Sequence, residues 1–270
     1  MIRVELRKLL RRPRTWATIL LLDALPTLVA VLLALTGFGP RPGSGPAFLS
    51  AVLADGTLFP LAALAIVLPL FLPIAVAVMA GDAVAGEAQG GTLRYLLARP
   101  VSRTRLLVAK LVSVMAFVLL AVLVVAGTAY LTGNLLLGDQ PGAAVASVSG
   151  SSLTPEQVLQ RTVLAIGYVV VSMLGVAAVA LFLSTLTDSP LSAALGAMAF
   201  LIASTLLLTL DAAQALEPYL PTRYWLAFVD LFRDPILWRN VVRGLLQQGA
   251  YVAVFLGAAW ANFATKDVTS

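Results

Sequence analysis

The sequence predicts an all-α polytopic membrane protein with six transmembrane helices, built as a single domain over residues 1–270. Three observations carry that fold class. Hydrophobic residues make up 60% of the chain and charged residues only 11%, where a soluble domain would carry roughly a quarter charged; the mean hydropathy is +0.96. Six apolar runs are each about the 20 residues that a helix needs to cross a hydrocarbon core of about 30 Å. The basic residues gather in alternate connections, as orientation in a bilayer requires.

Residue inventory removes several chemistries at once. The chain has no cysteine and no histidine. Disulfides, thiolate nucleophiles, Cys- or His-based zinc sites and Ser-His-Asp catalysis are therefore excluded.

Met1–Arg14 (MIRVELRKLLRRPR) places Ile2, Leu6, Leu9 and Pro13 at helical spacing, with Leu10 beside them. Arg3, Arg7, Arg11 and Arg14 follow on a neighbouring face. The pattern is a basic amphipathic helix suited to an anionic leaflet, or a simple positive-inside anchor; either puts the N-terminus in the cytoplasm. Trp16 falls where an interfacial aromatic belongs. Residues 16–37 form the first span, too long for a signal-peptide core and followed by further spans, so it reads as a retained anchor. Asp23 interrupts it. An acid at that depth is a functional candidate, or else a polar partner in a helix interface near the cytoplasmic side.

A Gly/Pro-rich outer loop (38–55) leads to the second span, 56–81, which contains Pro60, Pro69 and Pro73. Each proline removes a helical hydrogen bond, so a kink or local opening is expected, and Pro69 and Pro73 bias one face toward a cavity. Span three covers 108–133. An outer loop of small polar residues ends in Thr154-Pro155-Glu156-Gln157, a capping box with proline in the first turn. Span four covers 162–187, Asp188-Ser189-Pro190 makes a tight cytoplasmic turn with an N-cap and a first-turn proline, and span five covers 191–210. Residues 211–243 then mix Tyr219, Tyr224, Trp225, Phe228, Phe232 and Trp238 with alternating acids and arginines. That density fits short re-entrant or interfacial helices at the outer surface, with Asp230, Arg233 and Asp234 close enough to pair. Span six covers 244–264.

Of eighteen basic residues, twelve fall on the inner side in this topology and six outside. Both termini are therefore expected in the cytoplasm of a multi-pass protein of a prokaryotic plasma (inner) membrane.

Between spans two and three lies the most elaborate connection, Gly81–Lys110 (GDAVAGEAQGGTLRYLLARPVSRTRLLVAK). Asp82 and Glu87 follow the kinked span, and Gly90-Gly91 breaks its helix. Thr92 is a plausible N-cap for a short helix, Leu93–Arg99, ended by Pro100. Its apolar side is Leu93, Leu96 and Leu97. Ser102 caps the next helix, with Arg103, Arg105 and Lys110 at headgroup level. Such a lever under the bilayer is useful only if something outside the membrane pushes it. The glycines of 81–88 have the spacing of a phosphate loop, but acid and alanine replace the required Lys and Ser/Thr, so no ATP is bound by that route.

These residues resemble the ABC-2 type export permeases, in the branch that includes copper-enzyme maturation, bacteriocin-immunity and multidrug permeases. The resemblance lies in ELRKLLRRPRTW near the N-terminus, in D-x4-E-x3-G-T-L-R-x-L-L-A-R-P-V-S-R-x-x-L-L-x-x-K at 82–110, and in the closing Asn262–Val268. It implies a coupling helix at Leu93–Arg99 docking into an ATPase subunit. The residues concerned are Asp82, Glu87, Gly91, Thr92, Leu93, Arg94, Leu96, Leu97, Arg99, Pro100 and Arg103. It implies an interfacial helix carrying Arg3, Glu5, Arg7, Lys8, Arg11 and Arg12, and an outer gate at Tyr224, Trp225, Phe228 and Trp238. It also implies partners: two copies of an ABC ATPase, a second permease protomer (identical or a close paralogue) and membrane lipids, with no nucleic acid. ATP and Mg would sit on the partner subunit, leaving this chain without cofactor, metal or catalytic residue and not itself an enzyme.

The function expected is export of an amphipathic or hydrophobic substrate (drug, natural product, peptide or lipid-like) along the apolar faces of spans one, two and five. A proton- or sodium-coupled secondary transporter, with Asp23 as its one coupling acid, and a non-transporting membrane partner of an ATPase in immunity or signalling are the alternatives. An intramembrane enzyme is poorly supported, since it needs several polar groups converging at one depth.

Overall fold

The computed structural model describes residues 2–36, 56–91, 102–137, 145–146 and 152–265. Helix α1 (Ile2–Arg11) is followed after one residue by α2 (Pro13–Thr36). A 3-10 turn (Gly56–Leu58) opens α3 (Phe59–Val67), then come α4 (Phe71–Gln89), α5 (Arg103–Thr132) and a π turn (Gly133–Leu137). Two residues of β1 (Val145–Ala146) pair antiparallel with β2 (Ser152–Leu153). Helices α6 (Pro155–Leu186) and α7 (Pro190–Leu207), three 3-10 turns (Asp211–Ala213, Glu217–Tyr219, Trp225–Phe232) and α8 (Trp238–Thr265) complete the chain. Six of these helices are long and apolar enough to cross a membrane, as the hydropathy pattern predicts. The protein is a multi-pass membrane protein.

Local signals act as expected at three helix starts. Thr154 and Gln157 exchange side-chain hydrogen bonds with each other's backbone N–H, at 3.3 and 3.0 Å, to open α6. Ser189 accepts from Ser192 N at 3.3 Å ahead of Pro190, and Ser102 accepts from Arg105 N.

The second apolar run, expected as one kinked span over 56–81, is two helices. Pro69 has no N–H for the carbonyl of Ala65, and Pro73 none for that of Pro69, so the ladder fails for a full turn between α3 and α4. Beyond the break α4 runs on to Gln89, carrying Asp82 and Glu87 on the spanning helix itself.

Helix α6 is the packing centre, lying against α4, α5, α7 and α8. In the apolar stretches of α4, α5 and α6, half or more of the residues are buried, against 17–28% in α2, α7 and α8. The first three form the core, and the others turn apolar faces outward. Where α4 meets α7, Gly81 packs on Ala194 and Pro190, and Ala77 and Ala80 of α4 and Ala193, Ala194 and Ala197 of α7 are all buried. Small residues let helix backbones approach closely where lipid competes for apolar surface. A Cβ on Gly81 would stand 3.0 Å from Ala194 N and 3.2 Å from Pro190 O. Ser184 of α6, fully buried, ties the same turn: its Oγ donates to Gly81 O (2.6 Å) and accepts from Val84 N (3.1 Å) and Ala85 N (2.9 Å).

Candidate functional site

At the end of the bundle that carries α1, three elements bring six charges together. Lys110 of α5 is 3% exposed. Its Nζ is 3.2 Å from both carboxylate oxygens of Glu5 on α1 and ion-paired with Glu87 on α4. Lys8 reaches the same Glu87 at 3.2 Å. Beside this chain of alternating charges, Arg12 bonds Asp82 at 3.1 Å. Three acids balance three bases, so the cluster is neutral as a whole. These residues line a cleft of about 490 Å³.

The helical wheel explains the docking. Glu5, Lys8 and Leu9 share one edge of α1, Arg12 follows on the same side in the single residue before α2, and all four are shielded by the bundle. Arg3, Arg7 and Arg11 lie on the opposite edge and are exposed, with Ile2 and Leu10 exposed between. Of the N-terminal positions singled out in the sequence, the structure thus brings Glu5, Lys8 and Arg12 to the acids Asp82 and Glu87, and leaves Arg3, Arg7 and Arg11 facing out. Lys110, expected on a headgroup fringe, is instead the buried centre of the network. Its signal was its spacing: it stands two turns inside an otherwise apolar helix, where a lysine needs a carboxylate partner.

Glutamate 87 and Lys110 flank the segment expected to couple. Helix α4 ends at Gly90, and Gly91 takes φ +67°, the left-handed region open to glycine. Thr92, Leu93, Arg94, Leu96, Leu97, Arg99 and Pro100 lie outside the described residues. At the far end Arg103 donates to Phe263 O at 2.7 Å, while Trp260 Nε1 donates to Thr104 Oγ1 (2.9 Å) and Asn262 Nδ2 to Thr185 O (2.9 Å). The start of α5, the end of α6 and the end of α8 are held together by these bonds.

Asp23 is half-buried and accepts a hydrogen bond from Thr128 of α5. Thr128 is eighteen residues, or about 27 Å of helix, beyond Lys110. The acid is a polar partner in a helix interface, and it meets α5 far from the charged end.

At the opposite end, residues 211–237 fold back over α6 and α8. The aromatic residues there were expected at the outer interface. Trp225 (4% exposed), Phe228 (0%) and Phe232 (2%) are in the core instead. A 3-10 helix turns every three residues, so Trp225, Phe228 and Leu231 fall on one face and are buried together. Tyr224 is half-buried; its carbonyl accepts from Tyr168 OH at 2.6 Å, and Arg223 lies over its ring. Trp238 does not belong to this segment: it opens α8 and is half exposed. Asp230 does pair with Arg233 (2.8 Å) and also accepts from Asn240 (2.8 Å). Arg161, which the sequence places among outer-loop charges, is buried in α6 and donates to Arg233 O at 2.9 Å. Gln247 and Gln248 of α8 donate to the carbonyls of Leu220 and Pro221, so this segment reaches well down the bundle.

Residues 43–269 match the family described as "Protein of unknown function (DUF2705)". No curated protein matches the chain. The matched stretch covers α3 to α8 and leaves out α1 and α2, so Asp82, Glu87 and Lys110 lie within it and Glu5, Lys8 and Arg12 do not. On a match over 227 of its 270 residues (43 to 269 inclusive), the chain belongs to the DUF2705 family.

Proposed function

We propose that the protein is the membrane-spanning permease subunit of an ATP-driven exporter of the ABC-2 type, moving an amphipathic or hydrophobic substrate and powered by a separate ATPase. One observation carries this reading above the rest: Glu87 and Lys110, on the two helices that flank residues 92–101, are ion-paired with each other and with Glu5 and Lys8 of α1. A force applied at 92–101 would reach α1, α4 and α5 as one unit.

In this mechanism ATP closes a dimer of partner subunits in the cytoplasm and displaces Leu93–Arg99. The displacement passes through Glu87 and Asp82 into α4. Gly81 and Ser184 hold that stretch of α4 tightly to α7 and α6, so α7 moves with it. A cleft of about 390 Å³ lies where α2, α4 and α7 meet, walled by Thr18, Met79, Asp82 and Leu191 among others. It is a natural entry to a path along the outward apolar faces of α2 and α7, completed by a second protomer. The hydroxyl partner of Asp23 favours a structural role for that acid over a proton or sodium site.

The test is to solubilise the protein from its native membrane in mild detergent and count the subunits that come with it. The reading expects a soluble ATPase with a complete GxxxxGK[ST] loop, two copies per two permease chains. Recovery without any ATPase, with transport that persists without ATP and collapses with an uncoupler, would overturn it.

A further inference from the structure

Arg223 and Arg243 have no part in the coupling scheme, yet both wall one cleft at the end of the bundle away from α1. The cleft holds about 450 Å³, and its other walls are Glu217, Pro218, Tyr224 and Leu246. It lies between α8 and the segment folded back over it, and the two sides are tied together. Gln247 donates to the carbonyls of Pro218 (3.1 Å) and Leu220 (2.8 Å), and a Cβ on Gly244 would stand 2.9 Å from Tyr224 Cβ. Arg223 is held in place, ion-paired with Glu217 and 5.9 Å from the centre of the Tyr224 ring. Arg243 is exposed and makes no hydrogen bond or ion pair among the described residues. Two arginines against one glutamate leave the cleft one positive charge in excess. Its depth follows from α8, where Trp238 is 50% exposed and Leu246 70%. They stand eight residues, or about 12 Å of helix, apart. Arg243 falls between an interfacial aromatic and a lipid-facing leucine, at the level of lipid phosphates.

We propose that this cleft binds the phosphodiester of an anionic lipid in the leaflet away from α1, with Arg243 as the principal contact, Arg223 beside it and Leu246 under the start of the acyl chain. The charges match: a phosphodiester carries one negative charge, the excess that the cleft leaves open. A guanidinium presents paired N–H donors to two phosphate oxygens at once. The rest of the headgroup is selected by what the cleft already holds. Glu217 is taken by Arg223, so a choline or ethanolamine headgroup would bring a cation to a site with no acid to spare, whereas an uncharged glycerol headgroup adds none. The exposed leucine below the arginines favours a diester that carries tails over one that arrives from water. The inference stands whatever energises the protein, because it needs no ATPase.

The chain has no cysteine, so Val242→Cys, at a half-exposed position beside Arg243 but outside the cleft wall, gives a single site for a bimane label. The labelled full chain is placed in phosphatidylcholine nanodiscs containing equal small amounts of chain-nitroxide phosphatidylglycerol or chain-nitroxide phosphatidylcholine, and the quenching gives their relative binding. Phosphatidylglycerol should be preferred about fivefold, the worth of one basic residue at a membrane surface. Arg243→Gln should lose the preference. Arg239→Gln, exposed one turn earlier and outside the cleft, should keep it. Glu217→Gln frees the charge of Arg223 and should strengthen the preference about fivefold again. Excess glycerophosphoglycerol in the buffer should leave the quenching unchanged; displacement by it would make the ligand a water-borne diester and overturn the lipid assignment. No preference in the parent, equal losses in the Arg239 and Arg243 variants, or no gain in Glu217→Gln would overturn the proposal.

Discussion

Lys110 sits between two glutamates from different helices, 3.2 Å from the Glu5 carboxylate on one side and ion-paired with Glu87 on the other. Glu5 and Lys110 are 105 residues apart, and so are Asp23 and Thr128, the next polar pair along the same two strands of chain. The N-terminal helix and the first span therefore follow α5 in one parallel register from the charged end into the bundle. Leu9, buried on the docking edge of α1, supplies the apolar part of that contact.

Removing Glu87 tests the buried network. Breaking a buried ion pair by deleting one partner costs about 3–5 kcal/mol. Lys110 keeps Glu5, so Glu87→Ala should fall near the low end of that range and lower the Tm clearly in detergent. Replacing Glu5, Glu87 and Lys110 together by Leu, Leu and Met should be near neutral, because no charge is then left buried. A Tm unchanged by Glu87→Ala would show that the network adds nothing to the fold.

The α4–α7 contact gives a steric prediction. Gly81→Val brings side-chain atoms against the backbone of Ala194 and Pro190, so it should cost about 1–3 kcal/mol as overpacking does. Ser184→Ala removes an oxygen that makes three hydrogen bonds to α4, and should cost about 1–3 kcal/mol for polar groups left unpaired. Chemical unfolding followed by circular dichroism measures both; two silent substitutions would mean the helices are not held at this turn.

Much of this was legible in the sequence, and for identifiable reasons. Caps at Ser102, Thr154 and Ser189 and the breaks at Pro69 and Gly91 are local, decided by a few neighbours. The spans follow from hydropathy summed over long windows. What one strand of sequence does not carry is which charge faces which: Lys110 and Arg161 look like edge residues until helices distant in the chain bring carboxylates and carbonyls to them. The burial of Trp225 and Phe228 was missed for another reason. Their spacing of three belongs to a 3-10 helix, whereas a surface helix reading looks for periods of 3.6.

Phe228 and Trp238 should therefore behave oppositely. Phe228→Ala empties a fully buried ring site and should cost about 3–5 kcal/mol. Trp238→Ala, half exposed at the start of α8, should stay within about 0.5 kcal/mol. Tm values for the two variants decide it, and similar losses in both would place Trp238 in the core as well.

Asp23 separates the exporter from an ion-driven carrier. Asp23→Asn keeps an acceptor for Thr128 and should leave transport at the wild-type level. Thr128→Val takes the donor from a half-buried acid and should cost about 1–3 kcal/mol in stability. Loss of transport in Asp23→Asn with the fold intact would favour the ion-driven carrier.

The central claim, that the charged cluster joining the N-terminal segment to α4 and α5 carries motion from residues 92–101, is tested most directly at Arg12 and Asp82. This pair is partly exposed, so breaking it should change stability by no more than about 1 kcal/mol. The measurement is the stimulation of the partner ATPase by the purified permease in Arg12→Asp, in Asp82→Arg and in the double swap. Each single reversal should lose most of the stimulation and the double swap should regain it. Wild-type stimulation in both single variants, folded as the parent, would contradict the account.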